Sequence, residues 1–325
     1  MSCDVICLRP EADFQKVGVA APGDLAVAYR APDADDLPLL LRTARAVVIP
    51  AVGPALPASL FEGSAVRLVQ VTGAGVDRLD RPAMEALGIA VANVPGGSNA
   101  AIAEYAISTA LVLLRRFGES NAAIRAGDYA AHRGALVKAL PPGLEDMTVG
   151  VVGLGTIGLD VARGFRRMGS RIVYFDPAPR DPQAATELGA EGVDLQTLLS
   201  TADIVTLHVP LIPATKGLIG AAELALMKPE AVLIHASRGG IVDEDALAET
   251  LTAGRLAGAA VDVYSEEPPA ATNPLIALGE EAAQRLLLTP HIAGVTRQAW
   301  ATLFRTAWEN ASAAVAGGEI RHRVY

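Results

Sequence analysis

The stretch that decides the fold opens Thr148-Val-Gly-Val-Val-Gly-Leu-Gly-Thr-Ile-Gly158 and closes, after a helix-like interval, on Arg171-Ile-Val-Tyr-Phe-Asp176. An apolar strand, Val149 to Val152, runs into Gly153-x-Gly155-x-x-Gly158. Gly153 permits the tight strand-to-helix turn, and Gly155 has no Cβ, so backbone can approach a pyrophosphate. Gly158 lets the new helix pack on the strand, with Thr156 and Ile157 completing its first turn. The helix N-terminus offers N–H groups and a positive dipole end to phosphates. Asp176 closes the next strand at about the spacing, roughly 20 residues, of a carboxylate that accepts from the adenosine ribose hydroxyls. A carboxylate there favours NAD and repels the extra phosphate of NADP. Strand, glycines, helix and acid in this order predict a dinucleotide site, not a bare glycine turn.

Around this segment the chain alternates strand and helix signals. Before it, strand-like runs are Val5–Leu8, Ala46–Ile49, Leu68–Val71 and Ile89–Val91, with helix-compatible stretches at Leu37–Ala44 and Arg81–Leu87. That rhythm implies a parallel sheet. A long helix is expected from about Ala100 to Arg116, with Asn99 as N-cap and Arg115 and Arg116 suiting its C-terminal dipole. Residues 117–147 read as a less regular arm. From Thr148 the strands are Val149–Val152, Ile172–Phe175, Ile204–His208, Val232–His235, Gly258–Val263 and Leu286–Leu288. Their continuous apolar character suits strands buried on both faces. A last helix, about Thr296 to Ala316, places Trp300 and Trp308 on one face, as core or interface packing would.

The expected fold class is therefore α/β: two doubly wound parallel-sheet domains, a Rossmann dinucleotide-binding domain (100–295) inserted in a flavodoxin-like substrate domain (1–99 with 296–325). A cleft between such domains is where a substrate would meet the cofactor.

Bulk properties narrow the partners. The chain has 325 residues, 51% hydrophobic and 19% charged, with a formal charge of −9. This describes a globular protein of two domains. No Lys/Arg run forms a patch, which argues against nucleic acid and anionic membranes. Cys3 and Cys7 make no disulfide framework, and no signal peptide or membrane span is evident, so a cytoplasmic location is expected. No metal site is expected.

Chemistry should gather at the carboxyl ends of parallel strands. After Val232–His235 comes Ala236-Ser237-Arg238-Gly239-Gly240. Arg238 supplies a permanently charged planar fork suited to a carboxylate. After Gly258–Val263 comes Tyr264-Ser-Glu-Glu267-Pro-Pro269, and after Leu286–Leu288 comes Thr289-Pro-His291-Ile-Ala-Gly294. A Glu beside His291 would orient its ring. Singly, each residue is as ordinary as a surface charge or a packed imidazole. Three at successive strand ends behind a dinucleotide motif suggest an acid/base, its carboxylate partner and an anion-binding cation.

Taken together, Thr72-Gly-Ala-Gly-Val-Asp77, Asn93-Val-Pro-Gly96, Gly153–Gly158, Ser237-Arg-Gly-Gly-Ile-Val-Asp243, Asp262-Val-Tyr-Ser-Glu-Glu-Pro268 and Thr289–Gly294 resemble the D-isomer-specific 2-hydroxyacid dehydrogenases along nearly the whole chain. The resemblance implies hydride transfer between NAD(H) and a D-2-hydroxy acid/2-keto acid pair. It implies Arg238 on the substrate carboxylate and carbonyl, His291 as acid/base and Glu267, rather than Glu266, as its partner. It implies backbone N–H groups of Ala74, Gly75 and Val76 on the carboxylate. It places Asp262 on the nicotinamide carboxamide and the loop from Val209 and Pro210 to Thr215 along the adenosine, with Ala236 and Gly294 as further cofactor contacts. A homodimer through the 117–147 arm is implied too.

Departures are His235, where the family often has Asn, and Tyr129, where the arm often carries Trp. Asn93–Asn99 has no cation for a substrate phosphate, although Arg78 and Arg81 lie close in sequence. The chain ends at Tyr325, without the regulatory domain of many phosphoglycerate dehydrogenases. Two alternatives keep the cofactor: an NAD-sensing corepressor of the same fold, and a formate dehydrogenase, against which Glu267 argues.

Overall fold

The computed structural model describes residues 3–176 and 182–325. It holds two compact units, one of the described residues up to Ser98 with Val295–Tyr325, the other Asn99–Gly294.

The first unit is a five-stranded sheet of β1 (Val5–Cys7), β2 (Val27–Tyr29), β3 (Ala46–Ile49), β4 (Leu68–Val71) and β5 (Ala90–Ala92). All pairs are parallel and the order is β2-β1-β3-β4-β5, the flavodoxin-like order expected from the sequence. β1, β3, β4 and β5 are buried along their whole length, as runs of Val, Ile, Leu and Ala covered on both faces should be. β2 was not legible: Val-Ala-Tyr is short and half-buried at the sheet edge. The helix Arg297–Ala316 starts at Thr296, whose hydroxyl accepts from the Ala299 N–H. It lays Phe304 and Trp308 against Phe14, with ring centroids 4.3 and 5.1 Å apart, and Trp300 follows at 5.5 Å from Phe304. Both tryptophans thus pack on this unit's core. One polar link crosses it. Asn310, fully buried, donates to Gln70 Oε1 (2.7 Å) and the Arg321 carbonyl (2.8 Å), and accepts from the Arg321 N–H (3.0 Å).

The second unit is a seven-stranded parallel sheet: β6 (Thr148–Val152), β7 (Arg171–Phe175), β8 (Glu191–Gly192), β9 (Ile204–Leu207), β10 (Val232–His235), β11 (Gly258–Val261) and β12 (Leu286–Leu288). The order is β12-β11-β10-β9-β6-β7-β8. Strand order reverses at β6, so the crevice at the carboxyl ends of β6 and β9 is the switch point where an α/β sheet takes its ligand. Val152 is opposite Leu207 of β9 and Phe175 of β7. Register therefore sets the glycine turn after β6 beside Asp176 and His208. Gly150, mid-strand, has a packing reason: a Cβ there would lie 2.5 Å from Leu198 Cδ2.

Three sequence expectations need correction. The helix expected from Ala100 spans Asn99–Leu114, and Asn99 is inside it. Its amide does not cap; it donates to the Thr156 carbonyl (2.9 Å) and Asp160 Oδ2 (2.8 Å). The less regular arm contains two helices, Phe117–Arg125 and Tyr129–Ala139, neither with a buried residue. Good helix formers such as Ala, Arg and Glu carry them without an apolar stripe, so periodicity was silent. The eleventh strand ends at Val261, which leaves Asp262 and Val263 outside the ladder.

Replacing Asn310 by Ala would strand the Gln70 amide oxygen and the Arg321 backbone in the core. Orphaned buried groups cost about 1–3 kcal/mol each. We expect chemical denaturation to show a loss of at least about 2 kcal/mol for Asn310→Ala. A variant as stable as the parent would remove this link from the account.

Candidate active site

The glycine turn is built for close approach. Gly153 takes φ +92°, a conformation that favours glycine, and its N–H donates to the Phe175 carbonyl (2.7 Å). A Cβ on Gly158 would sit 1.9 Å from the Gly153 carbonyl oxygen, whereas nothing lies within 4 Å of one on Gly155. So Gly158 is required for helix-on-turn packing, and the space before Gly155 is open at the start of the helix Thr156–Arg167. Asp176 Oδ2 accepts from the Leu154 N–H at 2.8 Å, which ties the acid at the end of β7 to the turn. Open backbone, a helix start and a carboxylate one strand over fit a dinucleotide. Val209, buried, packs beneath Gly153, within 2.8 Å of where its Cβ would be. Thr215, also buried, closes the next loop: its hydroxyl donates to the Pro210 carbonyl and accepts from the Ile212 N–H (2.9 Å).

The residues expected to do chemistry follow β10, β11 and β12. Arg238 Nη1 donates to the Ser237 carbonyl at 2.8 Å. Gly239 lets this loop lie against the next one, since a Cβ there would fall 1.8 Å from the Tyr264 carbonyl oxygen. Ala236 and Gly294 are half-buried in their turns. His291 Nδ1 lies 2.8 Å from Glu267 Oε2 and 3.0 Å from Oε1. A carboxylate only accepts, so Nδ1 carries hydrogen and Nε2 is the nitrogen that exchanges a proton. The Tyr264 N–H donates to Glu267 Oε1 (3.1 Å) and aims it. Of the two adjacent acids, Glu267 is the one whose carboxylate reaches His291.

His291 stands at φ +54°, rare for a residue with a side chain. Asp262 holds it there. This carboxylate is fully buried, and Oδ1 accepts from the Thr289 hydroxyl (2.6 Å) and the Ile292 N–H (2.8 Å), Oδ2 from the Ala293 N–H (2.8 Å). The Asp262 carbonyl accepts from the His291 N–H (2.8 Å). Thr289 gives its one proton to Asp262, so Tyr105, 2.7 Å away, donates to Thr289. Tyr264 Oη donates to the Thr289 carbonyl (3.0 Å). Burial pushes both phenols up, so they stay protonated donors. Beyond them Glu244 accepts from the Ser265 N–H (2.6 Å) and from Asn273 (2.6 Å), pinning the loop that carries Glu267. Asp262 and Thr289 open motifs in the sequence, Asp262 as an expected contact of the nicotinamide carboxamide, but their pairing with each other and the supporting roles of Tyr105 and Glu244 left no local signature.

In the other unit, Ala74, Gly75 and Val76 follow β4. The Gly73 carbonyl accepts from the Val94 N–H (2.9 Å) and that of Ala74 from Asn93 Nδ2 (2.6 Å). Among the described residues, none of the N–H groups of Ala74, Gly75 and Val76 pairs with a backbone carbonyl. Arg78 is buried and donates to the carbonyls of Pro54 and Pro50, both at 2.8 Å. Arg81 pairs with Glu85 (2.9 Å) and lies over the Tyr325 ring. Among the described residues no cluster of three His, Cys, Asp or Glu could hold a metal, and no helix is long and apolar enough to cross a membrane.

Residues 107–293 match the family described as "D-isomer specific 2-hydroxyacid dehydrogenase, NAD binding domain". The chain belongs to the D-isomer-specific 2-hydroxyacid dehydrogenase family, and NAD is the cofactor of its second unit. It is 36% identical over 234 residues to a D-3-phosphoglycerate dehydrogenase of Archaeoglobus fulgidus, covering 72% of this chain and 42% of that one. It is 37% identical to a glyoxylate reductase of Thermococcus litoralis, over 72% of this chain and 69% of that one. The chain thus spans less than half the length of the phosphoglycerate dehydrogenase it matches. The NAD-complexed D-isomer specific 2-hydroxyacid dehydrogenase of Lactobacillus delbrueckii ssp. bulgaricus superposes with a TM-score of 0.77 at 25% identity, over 98% of this chain and 99% of that one.

Two histidines stand at neighbouring strand ends, His235 buried at the end of β10 and His208 half-buried just after β9. Burial holds His208 and His235 neutral, each pushed down to about 3. In the unfolded chain both take up a proton below about pH 6.5. Their stabilising contribution is therefore complete above pH 6.5 and is lost as pH falls toward 3. For His235 the slope is about 1.4 kcal/mol per pH unit in that window. Unfolding free energies from pH 7 to 4 should fall less steeply for His235→Asn than for the parent; equal slopes would contradict the burial.

Proposed function

We propose that this chain is an NAD-dependent D-2-hydroxyacid dehydrogenase working as a 2-keto acid reductase. The observation that carries the reading is the 2.8 Å contact of His291 Nδ1 with Glu267 one strand end from Arg238, in the unit that bears the NAD-binding turn. The turn Gly153–Gly158 would hold NADH, which would supply the hydride for C2 of the keto acid. Arg238 fixes the carboxylate and polarises the carbonyl. His291, protonated on both nitrogens and stabilised by Glu267, gives its Nε2 proton to the carbonyl oxygen as negative charge develops there. In oxidation, neutral His291 takes that proton back. The N–H groups of Ala74, Gly75 and Val76 are proposed as further carboxylate donors, Asp176 as the partner of the adenosine ribose and the reason for preferring NADH over NADPH.

Arg78 and Arg81 are both engaged within their own unit, which supports an unphosphorylated substrate. The helices Phe117–Arg125 and Tyr129–Ala139 expose Phe117, Ile124, Tyr129 and Val137, and Leu140 follows them, also exposed, which supports a homodimer through this arm. Cys3 and Cys7, free and buried, suit the cytoplasm. Nothing favours the corepressor reading.

The test is NADH oxidation at 340 nm with glyoxylate, hydroxypyruvate, pyruvate, phenylpyruvate and 3-phosphohydroxypyruvate. Turnover of an unphosphorylated member, and a loss of about a hundredfold or more in kcat for His291→Gln with NADH affinity kept, is the expected result. Near-parental turnover in His291→Gln would remove this mechanism.

A further inference from the structure

His235 is the residue that the mechanism leaves over. It is the last residue of β10 and 2% exposed. Its backbone and its side chain serve different strand-end loops. The carbonyl accepts from the Asp262 N–H at 2.9 Å, and the Asp262 carbonyl in turn accepts from the His291 N–H. The side chain turns to the loop after its own strand: Nδ1 lies 3.3 Å from the Ser237 hydroxyl. Ser237 is the residue whose carbonyl receives Arg238 Nη1 at 2.8 Å. An imidazole, a serine and the guanidinium thus form a short relay within four residues.

His235 Nε2 is buried and has no hydrogen-bond partner among the described residues. Orphaned buried N–H groups are rarer in folded proteins than under-satisfied acceptors, and Ser237 Oγ is within reach of Nδ1 as an acceptor. The neutral tautomer with hydrogen on Nδ1 follows, and it donates to Ser237 Oγ. A second proton would put a full charge on a desolvated ring, and burial disfavours that form. The neighbouring imidazole, His208, has its Nε2 occupied by the Thr206 hydroxyl at 2.8 Å and offers no relief. The other groups around this loop are neutral or already used: Tyr264 donates to Thr289, and Asp262 has both oxygens taken.

We infer that His235 is a positioning residue for substrate binding: as a neutral donor it fixes Ser237, and Ser237 fixes the guanidinium of Arg238 in the orientation that receives the substrate carboxylate. The inference rests on the role proposed for Arg238. It assigns His235 no proton transfer and no contact with the reacting atoms. A residue that served only to fill the core would affect cofactor and substrate binding alike, since both depend on the same sheet ends.

The experiment compares His235→Leu, His235→Asn, Ser237→Ala and the Leu/Ala double variant. Two affinities are measured by titration: NADH to the protein, and oxamate, an unreactive 2-keto acid analogue, to the NADH-loaded protein. KM and kcat are measured on the best keto acid. His235→Leu is expected to weaken oxamate and raise KM by about tenfold or more, with NADH affinity within about twofold and any fall in kcat smaller than the rise in KM. Ser237→Ala, at a half-exposed position that does not threaten folding, should shift oxamate in the same direction. The double variant should be no worse than His235→Leu alone, as expected for two links of one chain. An Asn amide keeps an N–H donor at 235, so His235→Asn should recover most of the affinity.

Oxamate affinity unchanged in both single variants, additive losses in the double variant, or a parallel loss of NADH affinity would each overturn the inference. If the parent binds oxamate and the variants split as described while no keto acid is reduced, the positioning role stands and the dehydrogenase reading fails. If the NADH-loaded parent binds no oxamate, both fail.

Discussion

The site depends on one buried carboxylate. Asp262 leaves the end of β11 and takes three hydrogen bonds from the turn after β12, through Thr289, Ile292 and Ala293. Parallel register makes this possible: Val261 is opposite Leu288, so the two strand ends emerge side by side. The turn it grips is one that a histidine would not adopt unaided, with φ at +54°. A left-handed residue costs on the order of 1–2 kcal/mol. Two charge-assisted bonds from backbone N–H groups offset that cost. Without the carboxylate those N–H groups would be orphaned, and His291 would be free to leave Glu267.

Around Asp262 the polar groups are arranged so that each proton has one direction to go. Tyr105 donates to Thr289, Thr289 to Asp262, and the Tyr264 backbone to Glu267. Protonated phenols at the outer end keep the sense of this chain fixed. The outcome at His291 is a defined tautomer, with Nδ1 committed to Glu267 and Nε2 left for proton exchange. The loops after β10 and β11 meet without side-chain volume at Gly239, so Arg238 and the glutamate are carried on backbones in direct contact.

Much of this was legible in the chain. The glycine turn reads directly because each glycine answers a local need: a positive φ at Gly153, open space at Gly155, contact with a carbonyl at Gly158. Buried parallel strands read as apolar runs, and Arg238, Glu267 and His291 stand in motifs at strand ends. What the sequence withheld was non-local or weakly patterned. Asp262 and Thr289 are partners across two strands, and nothing near either announces the other. Glu244, which pins the Glu267 loop, looks like an ordinary acid in the first turn of a helix. The helices Phe117–Arg125 and Tyr129–Ala139 bury nothing, so no apolar period marks them. Asn99 reads as a cap from composition alone, yet its amide reaches Thr156 and Asp160, more than fifty residues on.

The most direct test of the account is a single-turnover measurement of NADH oxidation in Asp262→Asn. An amide of the same shape offers one acceptor where the carboxylate has two, and turns an N–H against a backbone N–H. The account predicts that the hydride step slows by about a hundredfold or more while the protein remains folded, because the turn no longer holds His291 against Glu267. A rate within about threefold of the parent would contradict it, since the turn would then keep its shape without the carboxylate.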